Sequence, residues 1–158
     1  DGKCDIAFLR SESSSVKEFN SIPYMIDYLT AVLPATHPLA KADNLPFEQL
    51  RGETFLLFPE HSFINDLCIR ECRNAGFEPH IAYAGNRGAT LIDLVRNGAG
   101  ITLMMHHSAR QETDSSLAFI PVTPGIYSYI SLNYAKEKPL SPQAEIFVRY
   151  VKAHKRDF

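Results

Sequence analysis

The amino-acid sequence predicts an α/β fold, in which strands and helices alternate along most of the chain. The clearest indication is the segment 76–105, where a strand, a turn, a helix and a second strand follow one another with almost no residues between them. Connections this short predict that the two strands pair in parallel through a right-handed crossover, in a sheet buried on both faces. In such a sheet the loops at the carboxyl ends of the strands carry function, here 85–88 and 104–108.

The helix of this segment is predicted by an apolar stripe. Leu91, Leu94 and Val95 fall at i, i+3 and i+4, and so lie on one face of a helix. Gly98 and Gly100 follow, where a left-handed C-terminal cap and an abrupt exit from the helix are needed. The flanking strands are expected at 80–84 and at 101–105.

Composition and charge narrow the class of protein. The chain has 158 residues, of which 45% are hydrophobic, enough for the core of one compact domain or two small lobes. Its net charge of −2 argues against a nucleic-acid-binding surface, which needs an excess of lysine and arginine. No apolar run has membrane-spanning length and no leader is visible, while three cysteines are an odd number without disulfide-like spacing. These features favour a soluble, cytoplasmic protein.

A strand is predicted near the N-terminus, at 6–9. Its apolar run is too continuous for a strand at the edge of a sheet, so neighbours on both sides are expected. Because only a few residues precede this strand, the chain is expected to begin in the middle of a domain. The polar loop 10–15 follows at the carboxyl end of the strand, where a ligand-facing loop is expected.

Proline and glycine mark the elements that lead up to the central segment. Pro34 ends a long alternating strand, and Pro38 opens a helical turn at a position where its missing N–H does no harm. Pro59 stops an apolar strand, and Gly76 caps the helix that follows it. The predicted strands are 20–34 and 55–58, and the predicted helical pieces are 38–40, 46–50 and 63–75.

Two more strands and a final helix are predicted after the central segment. The strands are expected at 117–122 and 126–135, separated by a turn at Pro124 and Gly125. Ser141 followed by Pro142 is typical of a helix start, with serine as the cap and proline at the first helical position. This helix has an apolar stripe made of Ala144, Phe147, Val148 and Val151.

Five stretches of the sequence together resemble the effector-binding domain of LysR-type transcriptional regulators. They are CDIAFLR, VLPATHPLA, FEQLRGETFLLF, GFEPHIAY and LIDLVRNGAGITLMM. The most characteristic are the block HPLA at 37–40, ahead of an apolar strand, and LVRNGAGI at 94–101. Their order and spacing along nearly the whole chain carry the resemblance.

The resemblance implies a fold like that of periplasmic binding proteins of the second type, with two α/β subdomains and a small effector in the cleft between them. It implies a partial first subdomain at 1–26, a complete second subdomain at 27–124 and a return to the first subdomain at 125–158. The implied hinge strands lie near 24–33 and 119–125. The resemblance also implies a winged helix-turn-helix that binds DNA ahead of Asp1, and homodimers that assemble into homotetramers.

Arg10 and Ser11 are the candidate effector-binding residues of the first subdomain. In family members that respond to aromatic carboxylates, an arginine in a similar FxR context helps hold the acid group, and Arg10 stands in such a context. A guanidinium group matches a carboxylate with two parallel hydrogen bonds. The alternative is a surface arginine in a salt bridge.

The candidates of the second subdomain lie on loops that precede helices, where free N–H groups attract anions. Asn86 is expected to cap one helix and Arg87 to add positive charge, whereas ordinary capping without a ligand is the alternative. Met104 and Met105 end a strand and, together with His106, are expected to line the cleft. The full set is Pro59, His61, Ser62, Phe63, Asn86, Arg87, Met104 and Met105.

Metal binding, cysteine redox sensing and catalysis are not predicted, and no cofactor is expected. His106 and His107 point to opposite faces of an extended segment, and Cys68 and Cys72 lie on a helix that needs small buried residues. The sequence contains no GxSxG, HExxH or GxxxxGK[ST] motif. The function that the resemblance implies is that of a ligand-sensing regulatory domain, and we expect it to bind a small anionic effector. The alternative is a solute-binding component of a transport system.

Overall fold

The computed structural model describes residues 4–110 and 115–154, and these form two compact units. Unit 1 comprises Asp1–Asp27 and Tyr127–Phe158, and unit 2 comprises Tyr28–Ile126. The strands are β1 (Ile6–Ser11), β2 (Phe19–Pro34), β3 (Leu45–Pro46), β4 (Thr54–Leu57), β5 (His80–Ala84), β6 (Thr102–Met105), β7 (Leu117–Thr123) and β8 (Tyr127–Ala135). The helices are α1 (Phe63–Asn74), α2 (Gly88–Arg96), α3 (His106–Ala109) and α4 (Pro142–His154). Short 3-10 helices lie at Pro38–Lys41 and Phe47–Leu50.

Unit 1 is a small antiparallel sheet covered by α4. Strand β8 lies between β1 and β2, and it pairs antiparallel with β1 over the full length of β1. The helix begins as predicted, since the N–H of Ala144 lies 3.4 Å from the Ser141 hydroxyl oxygen and the Glu145 N–H donates to the Ser141 carbonyl at 2.9 Å. The core of the unit is a cluster of four buried residues, Ile22, Leu132, Val148 and Val151.

Strand β1 was expected to have neighbours on both sides, and the described residues supply one of them. Among the described residues β1 pairs only with β8, and the side chains of Phe8 and Leu9 are 44% and 38% exposed. The ring of Phe8 instead makes edge-on contacts with Tyr24, at a centroid distance of 5.4 Å, and with Phe147, at 6.4 Å.

Unit 2 is a mixed sheet with a helix on each face. The second half of β2 pairs antiparallel with β6 and with β7, and β3 adds a short parallel pair to β7. Successive side chains of a strand point to opposite faces, so Leu103 and Met105 join one hydrophobic cluster while Met104 joins the other. Residues of α1 belong to the first cluster and residues of α2 to the second.

The prediction that the two strands of the segment 76–105 pair directly with each other is wrong. Strand β5 pairs in parallel with β4, and β4 is joined to the start of the next strand by a parallel bridge between Phe55 and Ile101. The crossover thus passes over β4. Leu56 and Leu57 of β4 are each only 1% exposed, so that strand takes the interior position. All five residues of β5 are exposed, so the two-sided burial that was predicted for both strands applies to β6 and not to β5.

The glycine predictions are confirmed. Gly76 closes α1 with a φ of 80°, and its N–H donates to the Arg73 carbonyl at 2.9 Å. Gly98 ends α2 with a φ of 76°, and its N–H donates to Val95 at 2.9 Å. Both positions need the left-handed conformation that glycine adopts without strain.

Candidate functional site

Arg10 lies near the end of β1 and is bound by two buried residues of unit 1. Its Nη1 and Nη2 groups each donate to Oδ2 of Asp27 at 3.3 Å, and Nη1 also donates to the Ser128 hydroxyl at 2.6 Å. Asp27 is 2% exposed and Ser128 is fully buried, whereas the Arg10 side chain is 22% exposed. The guanidinium group is therefore held from its buried side, and its other side reaches the surface of the unit.

The hydrogen bonds leave one edge of the Arg10 guanidinium group for a further partner. Of its five N–H groups, the two on Nη1 and one on Nη2 are used by Asp27 and Ser128. The N–H of Nε and the second N–H of Nη2 make no hydrogen bond to the residues that the structure describes. These two groups are parallel, which is the arrangement that binds both oxygens of a carboxylate.

Ser11 and the loop after it are fixed by hydrogen bonds within unit 1. The Ser11 hydroxyl donates to the Ser13 carbonyl at 2.7 Å, and the buried Ser131 of β8 donates to the Ser14 carbonyl at 3.0 Å. Ser21 donates to Oδ1 of Asn133 at 2.6 Å and accepts the Val16 N–H at 3.0 Å. The polar loop predicted at 10–15 is thus attached to β8 and β2.

In unit 2 the structure brings the loop 58–62 and the loop 85–87 together. They follow β4 and β5, which are adjacent and parallel, and the Gly85 N–H donates to the Leu57 carbonyl at 3.0 Å. Ser62 caps α1, since its hydroxyl accepts the Asn65 N–H at 3.3 Å. His61 adopts a φ of 63°, in the left-handed region. The Pro59 carbonyl accepts the Ser62 N–H at 3.1 Å, which closes the turn.

The other candidates of unit 2 divide into exposed and packed side chains. Asn86 and Arg87 are exposed, and Arg87, not Asn86 as predicted, occupies the cap position of α2, without a side-chain hydrogen bond. The helix begins one residue later than an Asn86 cap would place it. Met104 and Met105 are each 2% exposed and belong to the two core clusters, and Phe63 packs against the first cluster.

Several polar residues near these candidates were not predicted. Asp27 and Ser128 are described above, and Tyr28 and Thr30 form a second group within unit 2 with His106, which was expected to line the cleft. The rings of Tyr28 and His106 stack with their centroids 4.3 Å apart, and Nδ1 of His106 lies 3.3 Å from the buried Thr30 hydroxyl. The alternation of β2 contains a signal for Asp27, because that residue is in phase with the buried Leu29.

The histidine, cysteine and carboxylate side chains of the described residues are the other candidate metal ligands and nucleophiles. Among residues 4–110 and 115–154, no group of three or more histidine, cysteine or carboxylate side chains is arranged to hold a metal ion. Cys68 and Cys72 are buried, and burial raises the pKa of both thiols, that of Cys72 to about 12. Thiols held in the neutral form are poor nucleophiles and metal ligands. In the described part of the chain, every helix is too short or too polar to span a membrane.

Comparison with known proteins decides the family. The family model described as LysR substrate binding domain matches residues 1–156. The chain belongs to this family. Transcriptional dual regulator GltC of Bacillus subtilis is 27% identical over 148 residues, which cover 93% of this chain and 49% of that protein. The chain spans about half the length of the curated relatives it matches.

Solved structures of LysR regulators show the same fold. The regulatory domain of CcmR from Synechocystis PCC6803, solved in complex with 2-PG, has a TM-score of 0.87 at 17% identity, covering 99% of this chain and 76% of that one. Full-length CbnR, solved with its target DNA, has a TM-score of 0.78 at 21% identity, covering 99% of this chain and 55% of that one. The predicted α/β fold of the second periplasmic-binding-protein type is confirmed.

Proposed function

We propose that this chain is the effector-binding domain of a LysR-type transcriptional regulator and that its effector is a small carboxylate. Membership of the LysR substrate binding domain family supports the regulatory part of the proposal. The geometry of Arg10 supports the chemical part. The domain acts as a switch that responds to ligand concentration and not as a catalyst, in keeping with relatives that are transcriptional regulators. The same relatives give no support to a transport role.

The observation that carries the carboxylate proposal is the unused edge of the Arg10 guanidinium group. Asp27 and Ser128 fix the group in one orientation, so little conformational entropy is lost when a ligand binds to it. Charge-assisted hydrogen bonds from two parallel N–H groups favour a planar carboxylate over a neutral amide of the same shape. Asp27 balances the charge of Arg10, so recognition depends on the geometry of the donors more than on net positive charge.

Further effector contacts are proposed in both units. Ser11 follows Arg10 directly, and in unit 2 the adjacent loops at 59–63 and 86–87 precede the N-termini of α1 and α2, where unpaired N–H groups favour anions. For Met104 and Met105, which are buried in the two core clusters, the proposed role is to support the wall of the effector-binding cleft from behind. We propose a partial first subdomain at 1–26 and 125–158 and a second subdomain at 27–124, bounds that differ from those of units 1 and 2 by one or two residues.

The remaining proposals concern the whole protein. We propose that a helix-turn-helix domain ahead of this chain binds DNA, that the protein forms homodimers or homotetramers, and that it works in the cytoplasm. Support comes from relatives that are described as HTH-type regulators and from the DNA complex of CbnR. The exposed strand β5 supports self-association, because Ile81 and Tyr83 are 39% and 40% exposed on a strand whose outer edge is open in the described chain.

Binding of carboxylates by the wild-type chain and by Arg10→Ala tests the proposed function. Aliphatic and aromatic carboxylates, each paired with its neutral amide, are screened by thermal shift and the hits are measured by calorimetry. We expect at least one carboxylate to raise the melting temperature of the wild-type chain, its amide to have no effect, and Arg10→Ala to abolish the shift. Arg149, exposed on α4 in the same unit, provides the control variant Arg149→Ala. Equal responses of the two variants would show that Arg10 does not bind the acid group.

A further inference from the structure

The two partners of Arg10 lie where the chain passes between the units. Asp27 is the last residue of unit 1 before the chain enters unit 2. The chain returns to unit 1 at Tyr127, and Ser128 is the next residue. Arg10 itself belongs to β1, which pairs with β8 and not with β2. One guanidinium group therefore binds both connecting strands, each within a residue of its crossing.

The reach of this side chain explains why arginine is suited to the position. In the sheet of unit 1 the strand order is β1, β8, β2, so Asp27 lies on the second strand from Arg10. Neighbouring strands are about 4.8 Å apart, and the side chain must extend over β8 to reach β2. On the way it donates to Ser128 of β8 at 2.6 Å, and at its end it donates twice to Asp27.

We propose that Asp27 and Ser128 are positioning residues for Arg10, and that the three residues form a clamp that couples effector binding to the two connecting strands. The coupling part rests on the proposed function, in which a carboxylate binds to the outer edge of Arg10. The free N–H groups of Arg10 have the right orientation for a carboxylate only while Arg10 is hydrogen-bonded to both Asp27 and Ser128. A carboxylate therefore binds the closed clamp more tightly than the open one and shifts the population towards it.

The clamp makes a prediction that needs no ligand. Amide hydrogen exchange is measured for the segments 24–32 and 124–130 in the wild-type chain and in Arg10→Lys, Ser128→Ala and Ser131→Ala. Lysine keeps the positive charge of Arg10 but lacks the planar set of N–H donors that reaches Asp27 and Ser128 together. We therefore expect amide exchange in Arg10→Lys to become at least fivefold faster in both segments. Ser128→Ala removes one buried oxygen, and we expect it to have the same effect on both segments.

The matched control is Ser131→Ala. Ser131 is another fully buried serine of β8, but its hydroxyl donates to the Ser14 carbonyl of the loop. We expect this variant to accelerate exchange at 12–18 and to leave 24–32 unchanged. The clamp is refuted if Arg10→Lys affects one connecting segment alone or neither, or if Ser131→Ala has the same effect as Ser128→Ala on 24–32.

Ligand measurements separate failure of the clamp from failure of the proposed function. Benzoate and succinate serve as probes, with benzamide and succinamide as neutral controls. We expect a binding carboxylate to slow exchange in both connecting segments of the wild-type chain, and Ser128→Ala to weaken its binding at least fivefold. If a carboxylate binds the wild-type chain and Ser128→Ala with equal affinity, Ser128 does not position Arg10, while the proposed function stands. If neither probe binds the wild-type chain but the exchange pattern is as expected, the clamp stands and the effector is not a carboxylate of this kind.

Discussion

Gly100 lies directly against the backbone of Thr54, at the place where β4 meets the start of β6. A Cβ atom at position 100 would overlap the Thr54 carbonyl oxygen, and Gly100 adopts a φ of 155°. The same carbonyl accepts the N–H of Ile101 at 2.8 Å, and Ile101 in turn accepts the N–H of Leu56 at 2.8 Å. This close approach joins the sheet across the crossover and leaves no space for a side chain.

We therefore predict that Gly100→Ala is far more harmful than Gly98→Ala. Gly98 has a φ of 76° but nothing lies within 4 Å of its would-be Cβ, so alanine there costs only the left-handed backbone, about 1–2 kcal/mol. At Gly100 the backbone overlap adds to the conformational strain, and we expect a loss of roughly 3 kcal/mol or more. Urea denaturation of both variants measures the difference. Losses of equal size would mean that the Thr54 contact has no energetic consequence.

The segment around these glycines shows what local pattern predicts and what it does not. The stripe of Leu91 and Val95 and the two glycines correctly predicted the helix and its end, because capping and amphipathicity depend on neighbours in sequence. Strand adjacency depends on which strands bury the most apolar surface. Strand β4, with Leu56 and Leu57 almost inaccessible, lies between β5 and the start of β6, two strands that were predicted to pair directly.

We predict that Arg10→Ala lowers the unfolding free energy more than Asp27→Asn does. Arg10→Ala removes the guanidinium group that donates to the carboxylate of Asp27, which is 2% exposed. Asp27→Asn leaves Arg10, which is 22% exposed, able to turn towards water. Allowing for that exposure, we expect Arg10→Ala to lower the unfolding free energy by about 2–3 kcal/mol and Asp27→Asn by about 1 kcal/mol. Chemical denaturation gives both values, and the reverse order would contradict the burial argument.

The candidate site could be predicted from sequence only in part. Arg10 was identified from its FxR context, which the resemblance to LysR-type regulators implies is an acid-binding position, and from its place at the end of a strand. Asp27 was not identified as its partner, although its phase with Leu29 places it on a buried face of β2. Ser128 lies more than a hundred residues from Arg10 in sequence, and only the order of strands in the sheet brings the two together.

Cys68 and Cys72 are predicted to be unreactive in the folded protein. Burial raises the pKa of both thiols, and nearby carboxylates, Glu71 for both and Glu78 for Cys72, add to the effect. The thiolate is the reactive form, so at pH 8 we expect a thiol reagent to modify Cys4, which is exposed, and to reach the other two only after unfolding. Counting labelled thiols by mass spectrometry with and without denaturant tests this. Rapid native labelling of three thiols would show that α1 opens readily.

Because of Cys68 and Cys72, we predict that the unfolding free energy of the protein falls at alkaline pH. Their folded pKa values lie above that of an unfolded cysteine, about 8.5, so the unfolded chain loses protons that the folded chain keeps. The stabilising contribution is complete below about pH 8.5 and declines as the pH rises above that value. Replacing both cysteines by alanine lowers stability at pH 7 through lost packing, but we expect it to flatten the dependence between pH 8 and 10. Urea midpoints across this range check the slope, and parallel profiles would assign the effect to other groups.

Replacing threonine by valine is predicted to change the unfolding free energy in opposite directions at Thr102 and Thr30, which lie on the paired strands β6 and β2. Both are fully buried. The Thr102 hydroxyl makes no hydrogen bond in the described chain, whereas the Thr30 hydroxyl lies 3.3 Å from Nδ1 of His106. Valine has nearly the same shape as threonine without the polar group. Burying an unpaired hydroxyl is unfavourable, so Thr102→Val is expected to raise the unfolding free energy by about 1 kcal/mol, and Thr30→Val to lower it by about 1 kcal/mol.

Thermal and urea unfolding of the two variants, side by side, tests this pair because the substitution, the burial and the sheet are shared. The sign of each change then depends on the hydrogen bond alone. Destabilisation by Thr102→Val would mean that its hydroxyl has a partner, such as a water enclosed beside Val32, the residue opposite it on β2. An unchanged stability of Thr30→Val would mean that His106 is held by its stacking on Tyr28 and not by the hydroxyl.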